Sequence, residues 1–132
     1  MGSVAPEGDG MNYTIPRTPP SLNKYAGREN VWDYREQKAL WKQLCNVYCR
    51  PKPKEPPEFA LVILTFYFKD RRRRDADNYQ KMILDGLVGA GIIIDDDFEH
   101  CMVLCKGGYD KNNERTEIEI RAMERGDSLG RC

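Results

Sequence analysis

The sequence predicts a small α+β domain, a mixed sheet assembled in the order β-α-β-α-β-β with its helices packed on the sheet. Three patterns point there. The run Phe59 to Phe68 is apolar at almost every position and rich in β-branched and aromatic residues, which suits a central strand covered on both faces better than a buried helix. Two stretches, Trp32 to Tyr48 and Asp77 to Gly89, repeat apolar residues at three- and four-residue spacing. Thr116 to Ala122 alternates instead, with Thr116, Ile118 and Ile120 set against Glu117, Glu119 and Arg121, so one of its faces is wet. A chain of 132 residues supports one such core, and residues 11–123 are expected to form a single domain between flexible tails at 1–10 and 124–132.

Taken in order, the elements follow from local chemistry. Asn12 to Ile15 reads as a short strand, and the proline-rich Pro16 to Ser21 as loop, because proline lacks the ladder N–H and fixes its own φ. In the first helix Leu40, Trp41, Leu44, Cys45 and Tyr48 make one stripe, and Asp33 with Glu36 has the form of a capping box. Four prolines in residues 50–57 end that helix as a stiff connector. The second helix is expected to begin at Asp77 or Asn78 and to stop at Gly89 or Gly91. Its main apolar stripe is Tyr79, Met82, Ile83, Leu87 and Ala90; Leu84 and Val88 lie on the other side and predict a second buried contact, a candidate two-fold interface. Ile92 to Ile94 reads as a short strand ending at an acidic turn. Cys101 to Tyr109 and Thr116 to Ala122 are the last strands, joined by residues 110–114. The Arg125-Gly126-Asp127 triplet in the tail is read as chance.

Composition narrows the function. Lys plus Arg balance Asp plus Glu at 21 each, and the calculated pI is near 6.6, so a globally basic nucleic-acid binder is excluded and any such surface must be local. The longest apolar run falls far short of the ~20 residues of a membrane-spanning helix. Five cysteines without a secretory signal predict a reducing cytoplasm and no disulfide framework. Cys45 and Cys49 share a helix face and Cys101 and Cys105 a strand face. Their three-residue gaps differ from the tighter C-x₂-C knuckles of structural zinc sites, so they read as small buried apolar groups.

Chemistry concentrates between Asp70 and Asp97. Lys69 and Arg71, Arg72, Arg73 and Arg74 set five positive charges against Asp70, enough to hold a phosphate backbone. Asp75 and Asp77, two apart, place their Cα atoms about 6.5 Å apart if extended, close enough to share one hard cation; alternatively Asp77 caps the helix, with Gln80 completing a box. Lys81, one turn on, is positioned to reach a scissile phosphate or to pair with Asp77 or Asp85. Asp95, Asp96, Asp97 and Glu99 put four like charges in five residues, a repulsion that a cation relieves; spacing does not say which of them would ligate. His100 has no partner recognisable from sequence. A basic anchor beside carboxylates suggests a nuclease.

The ungapped pattern Asp70-Arg71-Arg72-Arg73-Arg74-Asp75-x-Asp77-Asn78-x-x-Lys81, followed by Asp85, Leu87, Ala90-Gly91, three apolar residues and Asp95-Asp96, resembles the RusA family of Holliday junction resolvases. A weaker echo lies in Pro19-Pro20-Ser21-x-Asn23-x-Tyr25, so the likeness spans about Asn12 to Met123. The resemblance implies a magnesium-dependent homodimeric endonuclease (Mg²⁺, or Mn²⁺) that resolves four-way DNA junctions by paired symmetric nicks in recombination and repair. It implies catalytic residues Asp75, Asp77, Asp96 and Lys81, metal ligands Asp75, Asp77 and Asp96, and DNA contacts from Arg71 to Arg74 and Lys81. No small-molecule cofactor and no membrane partner are expected, and a bacterial or prophage-encoded cytoplasmic protein is. The alternatives are a nuclease for flaps, forks or other branched nucleic acid, or a non-catalytic junction-binding protein.

Overall fold

The computed structural model describes residues 10–22 and 31–123; all but Gly10 of the tail expected at 1–10, the tail expected at 124–132 with its RGD triplet, and Asn23 and Tyr25 lie outside the described residues. Six elements follow in the expected order: β1 (Met11–Ile15), α1 (Val31–Tyr48), β2 (Ala60–Phe68), α2 (Asp77–Gly89), β3 (Cys101–Tyr109) and β4 (Arg115–Ala122). They form one four-stranded sheet in the spatial order β1-β4-β2-β3. β2 and β3 are parallel, as the α2 crossover between them permits, and β4 runs antiparallel to both β1 and β2. The last two strands are therefore not a hairpin. After β3 the chain crosses the end of β2, where the Asp110 amide donates to the Phe68 carbonyl at 2.8 Å.

Strand alternation assigns the two faces. Ala60, Val62, Leu64, Phe66 and Phe68 are buried, in register with Ile118 and Ile120 of β4, which in turn oppose Tyr13 and Met11 of β1. Both helices contribute to this core, α1 through Trp41 and Cys45, with Cys49 just past its end, and α2 through Tyr79, Met82, Ile83 and Leu87. The Tyr79 ring meets Phe68 edge-on at 5.1 Å, which fixes the head of α2 over the end of β2. The opposite face is only half covered. Leu61, Ile63, Thr65 and Tyr67 are partly exposed, and Leu104 is 51% exposed, so β2 is a central strand buried on one face and not on both. Among the described residues the helices pack against only one side of the sheet, and Glu117, Glu119 and Arg121 lie on the other.

Three further sequence expectations need correction. Ile92 to Ile94 is not a strand. The Ile92 amide donates to Leu87 and the Gly91 amide to Val88, with Gly91 at φ 79°, closing α2 with a Schellman motif. Ile92 and Ile93 are buried as the apolar plug of that cap, so their hydrophobicity serves the helix end. Asp33 does not cap α1, which starts two residues earlier; it sits within the first turn, where its charge complements the helix dipole. Leu84 is 5% exposed within the chain's own core and Val88 packs against that core, which removes the helix surface expected at a two-fold axis.

Candidate active site

The basic loop is folded around its one acid. The Asp70 carboxylate accepts from the Arg72 amide at 3.1 Å and from Arg74 Nη2 at 2.8 Å. These donors, the Arg72 amide first, hold its carboxyl below the ordinary aspartate range. Arg74 also donates to the Asp70 and Arg72 carbonyls and lies 4.1 Å over the Phe68 ring, leaving its side chain 14% exposed. It braces the loop from inside. Arg71, Arg72 and Arg73 remain on the surface, Arg71 stacked 4.2 Å over Tyr109 and Arg73 only 3.9 Å from Asp75. The four arginines thus divide into one organiser and three outward cations.

At the head of α2 the capping explanation for Asp77 fails. The N-cap is Ala76, with no side-chain cap bond, and Asp77 is the first helical residue. The first turn is closed by backbone alone, the Asn78 amide donating to Asp75 and the Tyr79 and Gln80 amides to Ala76. Among the described residues Asp77 has no side-chain hydrogen bond or ion pair. Asp75 has only its long contact to Arg73, with its side chain 61% exposed.

Lys81 turns away from Asp77. Its Nζ lies 3.1 Å from Asp85 and 3.0 Å from Asp96, which draws the acidic turn onto α2. Asp85 reaches on to Lys38 of α1 at 3.7 Å, so a charge relay links both helices and the turn. The Asp96 bond is the main cause of the raised pKa of Lys81, and Lys81 is the main cause of the lowered pKa of Asp96. The other aspartates of the turn have local work: Asp95 accepts from the Asp96 amide, and Asp97 accepts from the His100 and Cys101 amides through its carbonyl and meets His100 Nδ1 at 2.6 Å. His100 therefore does have a partner.

The family profile described as endodeoxyribonuclease RusA matches residues 16–121, most of the chain and every residue of this site. The chain belongs to the RusA family. As a RusA enzyme it is an endodeoxyribonuclease, a Holliday junction resolvase, and it binds junction DNA. A search of curated proteins gives no match.

RusA nucleases are generally dependent on a divalent metal. The donors here fit a hard cation in kind, since Asp75 and Asp77 are exposed carboxylates that the fold does not occupy. They do not gather with Asp96, which Lys81 holds, and no group of three or more His, Cys, Asp or Glu converges on a metal position among the described residues. The cysteines are spent on packing: Cys45, Cys49 and Cys101 are buried, and burial pushes the Cys101 thiol up to about 11.

Sequence reasoning missed Asp70 as the loop's hub, although its i,i+4 spacing to Arg74 was there to read. It also missed Tyr109 and Lys38, which reach the site from distant segments and carry no local signal. No helix among the described residues is long and apolar enough to cross a membrane.

Proposed function

We propose that the protein is a Mg²⁺-dependent homodimeric resolvase, with Mn²⁺ as an acceptable substitute, that cuts four-way DNA junctions by paired symmetric nicks during recombination and repair in the cytoplasm. The reading rests above all on one observation: Asp75 and Asp77 stand exposed at the head of α2, beside three outward arginines, and neither serves the fold. Asp75 and Asp77, with Asp96 once it is freed from Lys81, would hold the metal, which would supply the positive charge that polarises a phosphate and acidifies a water. Lys81 places its ammonium where negative charge develops on the phosphate or leaving oxygen. Arg71, Arg72 and Arg73 grip the flanking backbone, while Arg74 keeps the loop that presents them. A gel assay on four-way, forked and flap DNA with and without Mg²⁺ tests this: cleavage of the four-way junction only with metal is the expected result, and equal cutting of flaps would shift the assignment to a general branch nuclease.

Paired nicks need two sites related by a two-fold axis, and one chain carries one. The half-covered sheet face, with Leu61, Ile63, Met102 and Leu104 flanked by charges of both signs on β4, is the apolar surface for the second copy. Leu104→Glu is expected to leave a folded monomer that nicks without pairing, read by analytical ultracentrifugation and nicked-intermediate counting. A Leu104→Glu dimer as tight as wild type would reject this interface.

A further inference from the structure

Beside Asp75 lies a groove that phosphate gripping does not explain. Its volume is about 400 Å³, within the ~300–1,000 Å³ range of small-ligand pockets and too small for a duplex. One side is the arginine loop, the floor is the end of β2, and the other side is the second half of β3. On the core face of β3, Cys101 is buried and Val103 and Cys105 partly so, but Gly107 and Tyr109 are exposed. The walls are flat aromatic and guanidinium surfaces: Phe68, Tyr79 and Tyr109, with Arg74 and Arg71 stacked on the first and last.

The two glycines of β3 differ. A Cβ at Gly108 would come within 2.9 Å of the Tyr67 ring, so packing demands glycine there. A Cβ at Gly107 would meet nothing within 4 Å. Glycine weakens a strand interior, and where packing does not require it, it often marks the close approach of a ligand. Gly107 holds the groove open.

We propose that this groove receives a single unstacked nucleobase of the junction, lying against Tyr109 and Phe68 in the space that Gly107 leaves open, with its phosphate toward Arg71. Aromatic and guanidinium planes are the surfaces on which single bases stack, and a branch point, where base stacking is already interrupted, is where extrusion costs least. The groove adjoins Asp75, so the held base sets which phosphodiester is presented. This rests on the junction-cutting assignment and adds a position-selecting subsite to it.

The test uses the full chain and four-way junctions carrying 2-aminopurine singly at each nucleotide around the crossover, bound without divalent metal. A fluorescence rise at one position, lost in Gly107→Val and in Tyr109→Leu, is the expected result, with cleavage in Mg²⁺ at that position falling on the order of tenfold, the scale of one base stack. Gly107→Val fills the groove with a residue that favours strands, and Tyr109 is partly exposed, so the two variants fail independently if either fails to fold. Wild-type cleavage with no fluorescence rise at any position, or with a rise unchanged in both variants, overturns the pocket and leaves the nuclease intact. A rise that Gly107→Val and Tyr109→Leu abolish in a protein that cuts nothing supports the pocket and overturns the nuclease.

Discussion

Two acidic segments flank α2, and they are built differently. At 75–77 the carboxylates stand free while the backbone closes the helix start by itself; at 95–97 each aspartate has a partner, and only Asp96 reaches beyond the turn. Carboxylates clustered in sequence are therefore not equivalent: those without structural work are available for a ligand, and those with it hold the chain in place. Asp96 belongs to the second group, tied to α2 through Lys81.

The sharpest way to break this comparison is to neutralise one carboxylate at a time. Asp75→Asn, Asp77→Asn and Asp96→Asn are each expected to lower cleavage of a four-way junction by at least about 100-fold, the scale of losing one preorganised transition-state contact. Junction binding should persist, and for Asp75→Asn and Asp77→Asn the melting temperature should not move. A large drop in melting temperature for Asp77→Asn would restore the capping role denied here.

Lys81→Met comes next. It should reduce cleavage strongly, and its stability effect should follow pH with a defined sign. Lys81 lowers the pKa of Asp96, so the pair's contribution is present above the unfolded aspartate pKa of about 4 and is lost as pH falls through the lower folded value. The variant and wild type should therefore differ in melting temperature at neutral pH and converge in acid. The gap should stay below about 1 kcal/mol because Lys81 is half exposed. A gap that widens in acid would mean that Asp96 is not the partner that matters.

The arginines extend the contrast to the basic loop. Replacing Arg71 and Arg73 together by alanine should weaken junction binding and flatten its log–log salt dependence by nearly two units, since each phosphate contact releases about one counterion. Arg74→Ala should instead loosen the loop, lowering thermal stability with less change in slope. Equal slopes for the two variants would erase the division between gripping and bracing arginines. Smallest of all, Asp97→Asn should disturb the His100 contact and leave cleavage near wild type; if Asp97→Asn is dead while Asp96→Asn cuts, the family's third aspartate sits one residue later than assigned.

Much of this was legible in the chain. An unbroken apolar run rich in β-branched and aromatic residues placed β2, three-to-four spacing placed α2, and period-two alternation placed β4, because those elements announce themselves in local pattern. The failures share a cause. Ile92 looked like strand, yet its amide closes a helix cap, and the second buried contact read for Leu84 is made within the chain's own core and not at a two-fold axis. Each depends on a neighbour that periodicity does not identify. The site divides likewise: Asp75, Asp77 and Lys81 stood out by spacing, whereas the Lys81 to Asp96 bond joins residues 15 apart and shows only when the turn folds back.

The contact between the two helices carries a consequence for how this protein tolerates change. A Cβ on Gly86 would sit 2.7 Å from Cys45 Sγ and 3.0 Å from the Trp41 carbonyl, so bare backbone of α2 seats directly on α1. That seat works as a mechanical datum. Whatever lifts α2 there swings its far end, which bears Asp77 and Lys81, and the alignment proposed for those two residues becomes hostage to a methyl group nine residues from the nearest acid of the head. Gly86 belongs in the enzyme's mutational blueprint beside the aspartates, although no DNA or metal would touch it.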